Sequence, residues 1–292
     1  MACALELSFV LLNAATALKS IDMKKIKFSL ALSMALIIFV GLSCKKGSDE
    51  SPINLFSVED DIEFGKSVEA EIEANPQEFP LLDKAQYPDA YMHIERIRDS
   101  VLNTGEIFYE DKFEWKVKII HNDSVLNAFA APGGYMYFYT GLIKFLDDES
   151  QFAGVMAHEM AHADLRHSTE MITKAYGVQI LLSIILGQAN SELADIVASL
   201  AYGLGELAYS RSNEYEADEK AVEYLYATSY DARGIAGFFI KLGDAPSPPQ
   251  FLSTHPSPEN RIEKINEVWT NLGGKTGNTY EDSYNAFKAS LP

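Results

Sequence analysis

The feature that most restricts the fold of this chain is the pentapeptide His158-Glu159-Met160-Ala161-His162, which lies within the segment from Gln151 to His167. Residues four apart on a helix differ by about 40° in direction, so His158 and His162 would project from the same face. Two imidazoles one turn apart can bind a single zinc ion, and Glu159 between them can reach a water on that ion. The motif therefore predicts a zinc site on a helix, with Glu159 as the general base.

The alternative explanation is an amphipathic helix that carries two histidines by chance. It accounts for an apolar stripe at helical spacing, formed by Phe152, Val155, Met156, Met160 and Ala163. It does not account for Glu159, which falls inside that stripe, where an unpaired carboxylate is costly. We therefore favour the metal site.

A third metal ligand is predicted in the segment from Ser210 to Tyr226, which also reads as a helix. Glu214 and Asp218 share the apolar face of this helix. The other charged residues fall on the opposite, solvated face: Glu216, Glu219, Lys220 and Glu223. Glu214 is the predicted ligand, and Asp218, one turn later, is placed to hold a ligand histidine by its second nitrogen. Two acids placed on a core face by chance remain the alternative.

These motifs resemble those of the gluzincin metallopeptidases, and more closely those of metallopeptidase family 48. The likeness is carried by His158-Glu159-x-x-His162, then Ser210-Arg211-x-x-Glu214-Tyr215-x-Ala217-Asp218, then His255-Pro256-x-x-x-x-Arg261. A fourth matching segment is Asn127-Ala-Phe-Ala-x-Pro-Gly-Gly134, followed by an aromatic strand and Thr140-Gly141-Leu142. The likeness runs from about Ala90 to Trp269. Four motifs in the same order are specific, whereas the first alone would indicate only a zincin.

The resemblance implies an α+β fold, mainly helical, with a small mixed sheet beside the zinc helix and one zinc ion per chain. In zincins the strand beside that helix is a free edge, to which an extended peptide can add by backbone hydrogen bonds. The expected substrate-binding residues are Asn127, Ala128, Phe129, Ala130, Gly133 and Gly134. The alternative for these residues is ordinary core sheet.

His255 stands in a proline-rich loop and has two candidate roles near the metal. It could donate a hydrogen bond to the oxyanion as water attacks, which would make it a catalytic residue. It could instead bind zinc as a fourth ligand and keep the enzyme inactive until the loop moves, as some members of the family suggest. A surface histidine is the third reading. We favour the donor role.

Elsewhere the chain predicts covering elements. The segment from Phe113 to Ile120 alternates between apolar and polar residues, as a strand does. The segment from Ala175 to Leu186 is apolar but too short to span a bilayer. Some members of the family carry membrane spans, and the chain departs from them here. We expect this segment and the next, Ser191 to Tyr209, to be buried helices that form a lid or flank for the site.

The N-terminal region predicts a lipoprotein signal. Residues 1–22 read as an over-extended start, and residues 23–43 have a basic beginning followed by an apolar run. Cys44 would be the acylated residue, with a tether up to residue 56, although Gly41 stands where such signals usually carry leucine. An uncleaved anchor helix is the alternative. Residues 57–272 would form the peptidase domain and residues 273–292 a tail.

Composition restricts the partners. The formal net charge of −18 argues against nucleic acid as a partner held by electrostatics. Cys3 and Cys44 are the only cysteines, so the sequence carries no disulfide framework. The predicted function is a zinc endopeptidase, lipid-anchored and facing the periplasm of a bacterial cell envelope, that cuts misfolded or misassembled envelope proteins. The alternatives are a zinc-containing periplasmic chaperone that rarely cuts, and a structural lipoprotein with incidental histidines.

Overall fold

The computed structural model describes residues 56–188, 190–203, 207–243, 250–257 and 260–292. The predicted start, signal and acylated Cys44 lie outside the described residues. The described elements are, in chain order, α1 (Val58–Ala74), α2 (Pro88–Leu102), β1 (Lys116–Ile120), β2 (Ala128–Ala131), β3 (Tyr135–Tyr139), α3 (Thr140–Phe145), α4 (Glu149–Asp164), α5 (His167–Tyr176), α6 (Val178–Ile185), α7 (Asn190–Tyr202), α8 (Arg211–Tyr226), α9 (Gly234–Gly243), α10 (Phe251–Thr254), α11 (Arg261–Asn271) and α12 (Glu281–Ala289).

The strands form one mixed sheet in the order β1-β3-β2. β1 runs parallel to β3, and β2 runs antiparallel to it. The turn between β2 and β3 uses Gly133 and Gly134 at φ values of 76° and 83°, which glycine adopts more readily than other residues. Because β3 lies between the other two strands, β2 is an edge strand of the sheet. The predicted fold class, mainly helical α+β with a small mixed sheet, is confirmed.

The first strand is shorter than its sequence pattern predicts. The alternation begins at Phe113, but β1 begins at Lys116. Trp115 has a left-handed φ of 44°, which interrupts the extended backbone just before the strand. Phe113 and Trp115 are nevertheless buried. The apolar residues at the start of the alternating pattern therefore indicate burial, but they do not belong to the strand.

The alternating side chains of β3 divide the core into two parts. Met136 and Phe138 belong to a cluster that includes residues of α2, α4, α8 and α9. Tyr135, Tyr137 and Tyr139 point to the other face, into a cluster with residues of α1, α5, α6 and α7. Because successive residues of a strand point to opposite faces, this one strand helps to form both clusters.

Helix α4 lies at the centre of the fold and is buried on nearly all sides. Asp148 caps its N-terminus by accepting a hydrogen bond of 3.0 Å from the Gln151 amide. A Cβ on Gly154 would collide with the backbone at Ile235, which shows how closely α9 approaches α4. The stripe expected for an amphipathic helix is therefore absent from α4, because α8, α9 and β2 all pack against it.

Helix α8 begins at a capping box in which Ser210 and Asn213 bond to one another's backbone amides. Its buried face carries Glu214 and Asp218, whereas Glu216 and Glu219 are exposed. The helical wheel therefore separated the acids of this segment correctly. The cost of burying two carboxylates is offset only if both find partners.

The two apolar segments after α5 form the helices α6 and α7, which pack against α1. Within the described residues, the helices are all too short or too polar to cross a membrane. At the C-terminus, for which the sequence offered no motif, α12 buries Tyr284 and Phe287 against Phe152 of α4. This last helix is thus part of the same core.

Candidate metal centre

The two histidines of the pentapeptide face one another in the interior of the described residues. Their Nε2 atoms lie 3.0 Å apart, and both side chains are fully buried. This follows from their spacing of one helical turn on α4. Two ring nitrogens at this distance require a shared proton or a shared cation between them.

Glu214 of α8 brings a carboxylate to the same point. Its Oε1 atom lies 3.4 Å from His162 Nε2, and its Oε2 atom lies 3.6 Å from His158 Nε2. Burial would raise the pKa of Glu214, but the neighbouring His255, His158 and His162 hold it well below its ordinary value. The side chain therefore remains a carboxylate and can act as a ligand.

His255, the residue that follows α10, completes the cluster. Its Nδ1 atom lies 3.1 Å from Glu214 Oε1 and 3.3 Å from His158 Nε2. The ring stacks on Phe251, with centroids 4.2 Å apart and planes inclined by 10°. The structure thus brings His255 to the predicted metal ligands, although 41 residues separate it from Glu214.

These four side chains fit a metal ion. His158, His162, Glu214 and His255 each offer one atom, and the four atoms lie within 4.8 Å of one another in a buried space. Three imidazole nitrogens and one carboxylate oxygen form a donor set that suits zinc. Burial lowers the pKa of His162 well below its ordinary value, which keeps its lone pair available for a metal.

Asp218 and Arg261 lie outside the cluster and contact its side chains. Asp218 Oδ1 lies 3.0 Å from His158 Nδ1, the nitrogen that points away from the cluster. Arg261 donates from Nη2 to Asp218 Oδ1 at 2.8 Å, and the same nitrogen lies 2.8 Å from Glu214 Oε2. Burial opposes protonation of His158, yet hydrogen bonds to Asp218 and Glu214 raise its pKa to about 9.

Glu159 lies beside the cluster rather than within it. The side chain is fully buried, and its Oε1 atom is 3.4 Å from His255 Nε2. Neither carboxylate oxygen makes a hydrogen bond of normal geometry among the described residues. Burial raises the pKa of Glu159 above its ordinary value. A buried carboxylate without such bonds is costly, and a water between Glu159 and the cluster would satisfy it.

The predicted substrate strand lies next to α4, but it is covered. The hydrogen bond from the Tyr139 amide to the Asn127 carbonyl fixes the register of β2 on β3. In that register the backbone groups of Ala128 and Ala130 point away from β3, towards the free edge. Ser168 Oγ already donates to the Ala130 carbonyl, and the Asn127 side chain donates to carbonyls at the end of α7.

The other predicted binding residues are placed differently. Phe129 is buried in the second apolar cluster, where its ring stacks on Tyr137. Gly133 and Gly134 lie at the far turn, against the α1 backbone and Trp115 respectively. Of the six predicted residues, only Ala128 and Ala130 therefore offer free-edge backbone groups beside α4.

Two segments close over the cluster. The ring of Tyr209 stacks on His162, with centroids 3.7 Å apart and planes inclined by 18°. The Tyr209 amide donates to the Thr254 carbonyl at 2.9 Å, and the Phe251 amide donates to the Leu126 carbonyl at 3.1 Å. These bonds join the segments before α8 and around α10 to each other and to the residues just before β2. A peptide reaches the cluster only if they separate.

Sequence reasoning assigned no role to Tyr209, and it named Arg261 only as part of a motif. Tyr209 precedes the capped start of α8, where periodicity carries no information. Arg261 is 3% exposed, and an arginine that the fold buries requires carboxylate partners. Its spacing from His255 was the available signal, but the spacing did not show which acids it meets.

Comparison with known sequences agrees with this geometry. A model of peptidase family M48 matches residues 75–268. The putative beta-barrel assembly-enhancing protease of Vibrio cholerae serotype O1 is 34% identical over 213 residues, which cover 62% of this chain and 43% of that protein. The beta-barrel assembly-enhancing protease of Escherichia coli strain K12 is 32% identical over 186 residues, covering 59% of this chain and 38% of that protein.

A mitochondrial relative is also similar. The mitochondrial metalloendopeptidase OMA1 of Arabidopsis thaliana is 30% identical over 181 residues, which cover 61% of this chain and 36% of that protein. The chain thus spans about two fifths of the length of these three curated relatives.

Proposed function

The chain belongs to peptidase family M48, and we propose from this premise that it is a zinc-dependent endopeptidase that hydrolyses peptide bonds. One observation carries the proposal: four buried side chains converge on one point, with the carboxylate of Glu159 beside them. A purely structural core would leave these polar atoms too few partners. The metal-binding group would be His158, His162 and Glu214.

The chemistry follows from the placement of Glu159. Zinc held by His158, His162 and Glu214 would supply a Lewis acid for the peptide carbonyl and would lower the pKa of a water. Glu159 would take a proton from the attacking water and give a proton to the departing amine. Burial raises the pKa of Glu159, which makes its carboxylate a stronger base for the first of these steps. Asp218 holds His158 in position.

His255 has a place in both states of the site. In the closed arrangement its Nδ1 atom lies among the candidate ligand atoms, where it could bind the metal in place of a water. Once the segment around α10 moves, the same side chain can donate to the oxyanion that forms on the substrate. The hydrogen bonds that hold the two covering segments would then control the activity of the enzyme.

The substrate class is an extended polypeptide. The outward backbone groups of Ala128 and Ala130 can pair with a peptide strand once Ser168 and the end of α7 release this edge. Backbone pairing gives little preference for sequence, which suits substrates that are recognised because they are unfolded. Both bacterial relatives described above are named for beta-barrel assembly. We infer that this chain acts on misfolded or misassembled envelope proteins, from a lipid anchor at Cys44.

A chaperone that holds such proteins and rarely cuts them is the second candidate. The specific observation in its favour is that the ligand side chains are fully buried beneath the covering segments. A test of turnover separates the two functions. Both would bind metal, but only an endopeptidase would produce new chain ends from a polypeptide.

The experiment uses the full chain purified in detergent, with its metal content and its cleavage of casein measured together. We expect about one zinc per chain and loss of cleavage after treatment with a chelator. Glu159→Gln should keep its zinc and lose at least about a hundredfold in rate, because it removes the proton acceptor and spares the ligands. Glu219→Gln, on the exposed face of α8, is the control and should behave as wild type. Full activity of Glu159→Gln would refute the mechanism.

A further inference from the structure

His167 is a buried histidine that the mechanism above does not use. It is the first residue of α5 and is 4% exposed. It follows His162 by five residues, which would not place it on the same face of a continuous helix. Helix α4 ends at Asp164, and Arg166 adopts a left-handed φ of 60° that turns the chain back. This turn brings the ring of His167 against the ring of His162, with centroids 5.2 Å apart.

The two nitrogens of His162 face different partners. Nε2 faces the cluster, 3.0 Å from His158 Nε2 and 3.4 Å from Glu214 Oε1. Nδ1 faces outward and lies 3.1 Å from His167 Nδ1. On its far side, His167 Nε2 lies 3.4 Å from Glu216 Oε2. The residues therefore form a chain of contacts that runs from the cluster to the surface of α8.

Metal binding by His162 fixes the proton positions along this series of contacts, from His162 through His167 to Glu216. A neutral imidazole carries one N–H, and the nitrogen that binds a metal cannot carry it. When His162 binds through Nε2, its proton is on Nδ1 and is donated to His167 Nδ1. His167 then carries its own proton on Nε2, which faces the carboxylate of Glu216. In this arrangement every N–H faces an acceptor, since His162 donates to His167 and His167 donates to Glu216. The reverse direction of donation is not possible while Nε2 of His162 binds the metal.

Stacking alone would not orient the His162 ring. Tyr209 fixes its plane, but a rotation by 180° about the bond to the ring keeps the same stacking and moves both nitrogens away from the cluster and from His167. A hydrogen bond at Nδ1 distinguishes the two orientations. We propose that His167 is a positioning residue that selects the tautomer and ring orientation of His162 for metal binding, with Glu216 as its supporting partner. The proposal rests on the metal site proposed above.

The two ligand histidines would then be held by different means. His158 meets the carboxylate of Asp218 directly, at 3.0 Å. His162 meets a carboxylate only through His167, and Glu216 is 55% exposed. Because solvent screens an exposed charge, Glu216 should contribute less than His167. Outer partners of metal-binding histidines typically change metal affinity by about 10–100-fold, which sets the expected size of the effect.

The test measures metal affinity rather than activity. The full chain in detergent is titrated with zinc against a competing chelator, and its cobalt(II) form is examined by absorption spectroscopy, which reports ligand geometry. We compare His167→Phe, which fills the space of the ring without an acceptor, with His167→Gln, whose amide oxygen can accept the His162 proton. Glu216→Gln and the exposed Glu219→Gln complete the set. Thermal unfolding in excess chelator measures the stability of each metal-free protein.

We expect His167→Phe to weaken zinc binding by about 10–100-fold, to alter the cobalt spectrum and to leave metal-free unfolding near that of wild type. His167→Gln should recover most of the affinity, Glu216→Gln should lose less than His167→Phe, and Glu219→Gln should lose nothing. If His167→Phe does not fold, His167→Met takes its place in the comparison.

Three results would overturn the proposal. One is wild-type affinity in the apolar variant, and another is equal weakness of His167→Gln and the apolar variant. The third is failure of both apolar variants to fold without metal, which would assign His167 to packing alone. A wild-type protein that binds no zinc would instead refute the proposed function, and the two failures are thus distinguishable.

Discussion

Asp218 Oδ1 lies 3.0 Å from His158 Nδ1, on the side of the imidazole that faces away from the candidate metal cluster. Arg261 holds this carboxylate in turn through two hydrogen bonds. The ring of His158 is therefore oriented by a charged partner that is itself fixed, so its Nε2 atom is directed at the cluster before any metal arrives. This relationship leads to the first prediction.

Asp218→Asn should weaken zinc binding by about 10–100-fold, because it removes the charge that orients His158 and leaves Arg261 with Glu214 as its remaining carboxylate partner. Glu214→Ala should lose the metal altogether, since it removes a ligand atom. Glu216→Ala should retain the metal, with at most the smaller loss expected from its contact with His167. Zinc titration against a chelator measures all three. Loss of metal from Glu216→Ala together with its retention in Glu214→Ala would contradict the assignment of the ligand.

His255→Ala separates the two roles of that histidine. In the closed arrangement its Nδ1 atom is 3.1 Å from Glu214 Oε1, among the ligand atoms. Because we favour the donor role, we expect its removal to lower casein cleavage by about a hundredfold or more while zinc content is unchanged. A rise in rate with full zinc content would instead show that the main role of His255 is to keep water from the metal. Unchanged rate and zinc content would make it structural.

The ion pair between Arg96 and Glu149 predicts a stability that depends on pH. Glu149 begins α4 and is fully buried, and Arg96 bonds to both of its oxygens at 2.8 and 2.7 Å. Burial alone would raise the pKa of Glu149, but hydrogen bonds from Arg96, Ser283 and Tyr230 hold it below its ordinary value. A depressed folded-state pKa contributes stability above the unfolded pKa of about 4.3, and this stability is lost as pH falls through the folded value.

Arg96→Met should therefore cost about 2 kcal/mol of unfolding free energy at pH 7, less than the loss of a fully buried partner, because Arg96 is 44% exposed. The deficit should shrink as pH falls towards 4, where the unpaired Glu149 takes up a proton. Urea unfolding at both pH values, in excess chelator, measures this. Lys84→Met breaks a surface pair with Glu95 and should change stability by less than about 0.5 kcal/mol. A deficit independent of pH would exclude the electrostatic explanation.

Cys44→Ala should release the protein from membranes or leave an unprocessed precursor. One acyl chain binds a membrane only marginally, so a stable anchor requires more than one chain on this residue. Fractionation of cells and labelling with a radioactive fatty acid measure the two effects, with Cys3→Ala as the control. Absence of label in the wild-type protein would refute the anchor and leave the proposed peptidase activity unaffected.

Two kinds of information could be read directly from the sequence. Helical spacing placed His158 and His162 on one face, and the same rule separated Glu214 and Asp218 from the exposed Glu216. Both follow from local geometry, because the direction of a side chain on a helix is determined by its position in the chain. The fold class followed from the family resemblance that these motifs carry, and the mixed three-stranded sheet agrees with it.

The contacts between residues of separate elements were decided by the tertiary structure, because local helix geometry does not predict them. Three contacts join residues from separate elements. His255 approaches Glu214, Arg261 is buried between two carboxylates, and Tyr209 stacks on His162. His167 meets His162 only because one left-handed residue, Arg166, reverses the chain between them. Such contacts depend on how whole helices pack and where turns direct them, and a single sequence carries no periodic signal for either. The chain alone thus determined which residues could hold a metal, and packing determined which residues hold those side chains in place and cover them.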